Sequence, residues 1–221
     1  MDFHRLRGRL LGAASATLTA SAILVPVTAA PPTASAQPCS DVTVVFARGT
    51  GEPPGIGRVG QAFVDALRPQ LGDRTLSSYG VNYPASYDFV LAADGAADAS
   101  TYVSNIVATC PTTRIVLGGF SQGAAVVDML AGVPPLGNRL GAVGPMLPPT
   151  AVSKVAAVAV FGNPATKFGN PIISSVFGGR AIDLCTDGDP ICSPGRNPFA
   201  HSNYVGAGLA HHAANFVADL V

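Results

Sequence analysis

Short apolar runs alternate along this chain with helix-period segments, and that alternation constrains the fold more than any other feature. Val42 to Ala47 reads as a buried strand, Val59 to Leu71 as a helix, Ser77 to Tyr83 as a strand and Gly95 to Thr109 as a helix. Strand Arg114 to Gly118, a helix after Ser121, strands Val155 to Phe161 and Arg180 to Leu184, and a last helix from Gly206 to Leu220 follow. Near-continuous apolar strands separated by helices predict an α/β domain with a five-stranded parallel sheet covered by helices on both faces. Sites in such sheets form beyond the C-terminal ends of the strands. Ser121 and the loops opening at Arg48, Tyr83, Asn163 and Cys185 are expected there.

Ser121 lies in Gly119-Phe120-Ser121-Gln122-Gly123, directly after the apolar run from Arg114 and before the helix-forming run Ala124 to Leu130. A strand that turns sharply into a helix strains its turn residue, so the flanking positions need glycines with no Cβ to collide. The hydroxyl is then exposed above the sheet edge, and the free N–H groups of the starting helix favour negative charge at the same spot. This context makes Ser121 a candidate nucleophile, although a structural glycine turn would show the same pentapeptide.

Residues 1–36 are set apart from the fold. Arg5, Arg7 and Arg9 make a basic start, Leu10 to Ala30 is uncharged, and Ala34-Ser35-Ala36 offers a small-residue cleavage site. This reads as a secretory signal peptide cut near Ala36/Gln37; Pro26 and Pro31-Pro32 argue against a membrane anchor. Residues 37–221 are expected to form a single domain. Three of the thirteen Lys or Arg and one of the thirteen Asp or Glu fall in the leader, which leaves the rest with a formal charge of −2. Phosphate recognition leans on a basic surface, so the charge argues against a nucleic-acid partner and none is expected. The chain is expected to act as a monomer.

Four cysteines allow three pairings, and spacing alone does not choose among them. In the expected topology Cys39 and Cys110 both fall just before strands, at the N-terminal edge of the sheet, whereas Cys185 and Cys192 follow a later strand. Pairs Cys39–Cys110 and Cys185–Cys192 are therefore expected. The first closes a long loop, which in the chain-entropy model contributes roughly 4 kcal/mol. No Cys-x-x-Cys occurs and the histidines lack ligand spacing, so neither a metal nor another cofactor is expected.

A serine needs a general base. Three histidines follow the leader: His211 and His212 fall inside the last helical pattern, where His212 reads as packed, and His201 lies between the Pro198-Phe199 loop and that helix. His201 is the favoured base. The base needs a carboxylate to fix its tautomer, and Asp187 and Asp189 compete for that role inside Cys185 to Cys192.

The segments Val44 to Glu52, Gly118 to Gly123, Cys185 through Asp189 to Cys192, and Ala200-His201 resemble the cutinases, particularly the cutinase-like proteins of mycobacteria and related actinobacteria. The likeness spans nearly the whole chain after the leader, in order and spacing. It implies an α/β-hydrolase fold, with Ser121 as nucleophile, Asp189 rather than Asp187 as the acidic member, and His201 as base. It also implies an oxyanion hole from the N–H groups of Gln122 and Thr50, where fungal cutinases usually carry serine in place of Thr50 and its hydroxyl also donates. Arg48 is expected to be structural, buried against a carboxylate.

The implied activity is a secreted serine esterase acting on short- to medium-chain esters of the cutin or lipid type, without a large lid. Acetylxylan esterase, phospholipase, and a catalytically silent binder of lipid or envelope components are the alternatives. Tyr87, Phe89, Val90 and Leu91, with Ile172, Ile173, Val176, Phe177 and Phe199, are expected near the catalytic face, where they would suit an acyl chain and transient contact with lipid surfaces.

Overall fold

A computed structural model describes residues 39–138 and 144–221. The leader expected over residues 1–36 and its cleavage point at Ala36/Gln37 lie outside them. In chain order the strands are β1 Val42–Ala47, β2 Leu76–Gly80, β3 Arg114–Phe120, β4 Pro135–Asn138, β5 Val155–Phe161 and β6 Ala181–Leu184. The helices are α1 Gly57–Leu67, α2 Ala92–Thr109, α3 Gln122–Leu130, α4 Pro149–Val152, α5 Pro164–Lys167 and α6 Leu209–Ala218.

Five strands form one sheet in the order β2-β1-β3-β5-β6, and every pairing is parallel. Successive side chains leave opposite faces of a strand. Thus Val42, Val44 and Phe46 enter a core with Val59, Phe63 and Leu67 of α1 and Ala213 and Val217 of α6. Val45 and Ala47 enter a second core with Ala96, Ala99 and Val103 of α2 and Val126 and Leu130 of α3. The expected α/β arrangement, covered on both faces, is the observed one. Phe46, Phe63 and Phe161 pack at centroid distances of 6.1 to 6.3 Å, and burying each such ring contributes about 1.5–3 kcal/mol. The expected disulfides form: Cys39–Cys110 below the N-terminal edge of the sheet and Cys185–Cys192 beyond the last strand.

The boundaries depart from the sequence pattern for local reasons. Pro69 removes a backbone donor, so α1 tightens into a 3-10 turn over Arg68–Leu71. β2 stops at Gly80 instead of Tyr83, because the Val81 and Tyr83 carbonyls turn to Arg48. α2 begins at Ala92, three residues earlier than expected, after a turn capped by the Asp88 carboxylate. The last helix starts only at Leu209, behind Gly208 in the left-handed conformation. β4 arises within the Pro-rich loop Val133 to Pro149 and stands outside the five-stranded sheet. Among the described residues, no helix is long and apolar enough to cross a membrane.

Candidate active site

β3 lies between β1 and β5, with Ala47 paired to Gly119 and Phe120 to Phe161, so the chain leaves the sheet centre at Ser121. Ser121 takes φ 55° and ψ −116°, a conformation that costs a non-glycine residue about 1–3 kcal/mol. Its N–H donates to Phe161 O at 2.8 Å, which pins the turn to the neighbouring strand. Both flanking glycines are required by space. A Cβ on Gly119 would strike the Gly123 carbonyl, and one on Gly123 would strike the Ala47 carbonyl, each well inside 3.0 Å. The close approach of α3 to β1 thus explains the pentapeptide directly.

His201 comes from a 3-10 turn, Ala200–Ser202, and faces Ser121 across the sheet edge. Its Nε2 lies 2.8 Å from Ser121 Oγ and its Nδ1 lies 2.7 Å from Asp189 Oδ2. A carboxylate only accepts, so Nδ1 carries the proton and Nε2 is left to accept from the serine. The His201 side chain keeps 20% of its exposure while Asp189 keeps none. Asp189 Oδ1 accepts from Ile191 N–H at 2.8 Å, and Tyr204 O–H donates to Oδ2 at 2.6 Å. Phe120 stacks on the imidazole at 4.9 Å between centroids.

Asp187 is exposed in the same loop, on which the two aspartates face opposite environments. His211 and His212 are both exposed on α6, so the packed position expected for His212 is not found. The apolar face of α6 is carried by Ala210, Ala213, Ala214 and Val217, leaving His212 on the outer side.

Gln122 begins α3, so its N–H has no acceptor inside the helix. Its side chain is buried and spans two loops: Nε2 donates to Ser86 O at 2.9 Å, and Oε1 accepts from Thr50 Oγ1 at a long 3.4 Å. The Thr50 hydroxyl therefore points to the Gln122 amide. Gly51 N–H donates to Ala85 O at 2.7 Å, and Ala85 holds φ 49° to present that carbonyl.

Arg48 is buried as expected, but among the described residues its hydrogen-bond partners are backbone carbonyls and no carboxylate. Nε donates to Glu52 O at 2.8 Å and Nη2 to Tyr83 O at 2.6 Å. The Glu52 carboxylate is already engaged by the N–H groups of Gly49 and Arg58, at 2.7 and 2.8 Å.

A cavity of about 210 Å³ opens beside Ser121 and Gln122, lined by Phe89, Ala125, Met129, Leu136, Pro164 and Ile191 among others. Of the loop residues expected around an acyl chain, Phe89 is in the lining, whereas Ile172 and Phe177 are buried in the core because they close the α3 side of the sheet. Tyr87, Val90, Ile173, Val176 and Phe199 are exposed. The α3 wall follows helical spacing, Gln122, Ala125, Met129, a signal present in the sequence. The Pro-rich loop, with Pro135 and Leu136, had no periodicity to announce it.

Behind the site, Asn163 Nδ2 bridges two carboxyl groups, Asp128 Oδ1 at 3.2 Å and Asp183 Oδ2 at 3.1 Å. Burial, then the Asp183 charge, hold the Asp128 carboxyl well above the ordinary range; burial raises Asp183 as well. A folded state that retains a proton the unfolded chain has released loses stability as pH rises from the unfolded value to the folded one. Asp128→Asn has no proton to lose, and its amide oxygen still accepts from Asn163. This variant is expected to match the parent in thermal melts near ~pH 4 and to exceed it by several degrees near ~pH 8. Equal pH slopes for the two proteins would refute this reading of Asp128.

The cutinase family profile matches residues 38–221. Phospholipase Culp4 of Mycobacterium tuberculosis is 48% identical over 215 residues, covering 96% of this chain and 92% of its own. Carboxylesterase Culp1 of the same organism is 43% identical over 220 residues, with 96% and 94% covered. A Trichoderma reesei cutinase, solved with a phosphonate inhibitor, superimposes with a TM-score of 0.67 at 37% identity, covering 83% of this chain and 77% of that one. With the parallel sheet and the serine turn at its centre, these likenesses place the chain in the cutinase family, whose members are carboxylic ester hydrolases.

Proposed function

We propose that the chain is a secreted serine esterase that hydrolyses short- to medium-chain carboxylic esters through an acyl-enzyme. The observation that carries this reading is the unbroken line of hydrogen bonds from Ser121 through His201 to Asp189, at 2.8 and 2.7 Å. His201 Nε2 takes the hydroxyl proton as Ser121 Oγ attacks the ester carbon, and Asp189 stabilises the imidazolium. The oxyanion is held by the N–H groups of Gln122 and Thr50, each worth about 10²–10³ in rate. Collapse breaks the ester C–O bond, and the departing alcohol takes the proton from His201. Water then attacks the acyl-enzyme, giving its proton to His201, and Ser121 recovers that proton as the acid leaves.

The short to medium acyl length is supported by the cavity, whose 210 Å³ is below the roughly 300–1,000 Å³ of pockets that enclose drug-sized ligands. A series of p-nitrophenyl esters is expected to peak between butyrate and octanoate. A maximum at palmitate would sink the claim. The similarity to a protein named phospholipase supports a second reading, in which phosphatidylcholine vesicles are turned over faster than soluble butyrate esters. A fluorophosphonate probe is expected to label the parent and spare Ser121→Ala; a folded, oxidised parent that takes up no label would favour a silent binding protein. Secretion is supported by the basic, then uncharged leader together with two disulfides. Mass spectrometry of exported protein should find a mature start at or beside Gln37.

A further inference from the structure

Asp189 is fully buried, and among the described residues no Lys or Arg lies within ion-pairing distance of it. Hydrogen bonds alone hold its charge. Its Oδ2 faces two donors at once, His201 Nδ1–H at 2.7 Å and Tyr204 O–H at 2.6 Å. The phenol is oriented from behind: its oxygen accepts Thr186 N–H at 3.2 Å and lies 3.3 Å from Cys192 Sγ, so its proton is left to Asp189. Its ring is buried and meets Phe120, Phe161 and His201 edge-on at centroid distances of 5.5, 6.1 and 6.2 Å.

We propose that Tyr204 is a positioning residue of the esterase site: its hydroxyl fixes the Asp189 oxygen that faces His201 and draws off part of that oxygen's charge. The proposal rests on the triad reading above. A carboxylate oxygen that serves two donors offers less charge to each, so the strength of the phenol bond sets how firmly Asp189 stabilises an imidazolium. Burial, and secondly the bond to Asp189, push the Tyr204 hydroxyl above the ordinary phenol range, so it remains a donor throughout the range in which esters are assayed. Among the described residues the other charged groups nearby do not pair with Asp189; the Lys167 ammonium donates to Pro190 O at 2.6 Å. Asp187 is exposed, and the Arg58 guanidinium donates to Ser202 O at 2.7 Å without pairing to Asp189.

Two substitutions with opposite signs test this. Tyr204→Phe keeps the ring and removes the donor. It is expected to lower kcat about tenfold and to move the acidic limb of the kcat/KM profile upward by roughly half a pH unit or more. Tyr204→3-fluorotyrosine keeps the shape and donates more strongly, and should move the limb downward. If both variants keep the parental limb, whatever their melting temperatures, the role assigned to Tyr204 is wrong. Should Tyr204→Phe fail to fold, the fluorinated protein alone decides by the same limb. Probe labelling that survives Ser121→Ala would instead overturn the triad, which separates the two failures.

Discussion

Ser121→Ala is expected to lower kcat/KM for p-nitrophenyl butyrate by about 10⁴–10⁶-fold, with its melting temperature equal to or above that of the parent. The loss is large because the hydroxyl is, in the proposed mechanism, the attacking atom, and nothing beside it can substitute. The retention of stability has a separate origin. Alanine would hold the same φ of 55° as Ser121, so the backbone strain is unchanged, and removing the hydroxyl takes away no backbone bond. His201→Ala should cost a similar factor, and the double variant little more, because the two act as one unit. Asp189→Asn should cost about 10⁴, since an amide no longer dictates which imidazole nitrogen holds the proton. Residual turnover of the Ser121→Ala/His201→Ala double variant above that of a denatured control then measures the oxyanion donors and substrate binding. A Ser121→Ala protein within tenfold of the parent would remove the serine from the mechanism.

Gly123→Ala tests the fold where it meets the chemistry. The new methyl would face the Ala47 carbonyl, with the Arg48 carbonyl close behind. Neither is a flexible side-chain end that can rotate away. Overpacking typically costs about 1–3 kcal/mol, and a backbone wall places this site at the upper end or beyond. For a domain of this size that corresponds to a fall of roughly 6–12 °C in Tm. The clash also pushes α3 from the end of β1, so Thr50 and Gln122 separate and activity should fall more than stability alone explains. Gly179→Ala is the control: nothing lies within 4 Å of its added Cβ, and its stability should stay within about 0.5 kcal/mol. Equal melting curves for Gly123→Ala and the parent would mean that α3 and β1 are not packed this closely.

What could be read from the sequence follows from how local each cause is. β1, β3 and β5 are buried on both faces, so their apolar runs are continuous and unmistakable. β2 is half-exposed, and its end was set by Arg48 taking the Val81 and Tyr83 carbonyls, a contact across more than thirty positions that no local pattern records. Ser121 was legible because its turn forces glycine at both flanks. The choice between Asp187 and Asp189 was not, since it depends on which carboxylate the loop buries. His212 misled for a related reason: its spacing from Leu209 and Phe216 fits a packed face, yet small alanines carry the contact. Tyr204 left no trace in the pattern, because a phenol in an apolar setting reads as core until its hydrogen-bond partner is placed.

The two halves of the chemistry have different addresses along the chain. The proposed nucleophile, Ser121, is built from the middle of the sheet, where β1, β3, β5 and α3 constrain one another. The groups proposed to handle the proton, Asp189, His201 and Tyr204, all fall between Cys185 and Tyr204, after the last strand, in one stretch that opens with the disulfide loop Cys185–Cys192. That stretch is continuous in sequence and meets the central strands through Phe120 and Phe161, which a graft would have to keep. Loop grafts between relatives could replace it as a unit and retune acid–base behaviour, while the central turn, which tolerates almost no change, stays untouched.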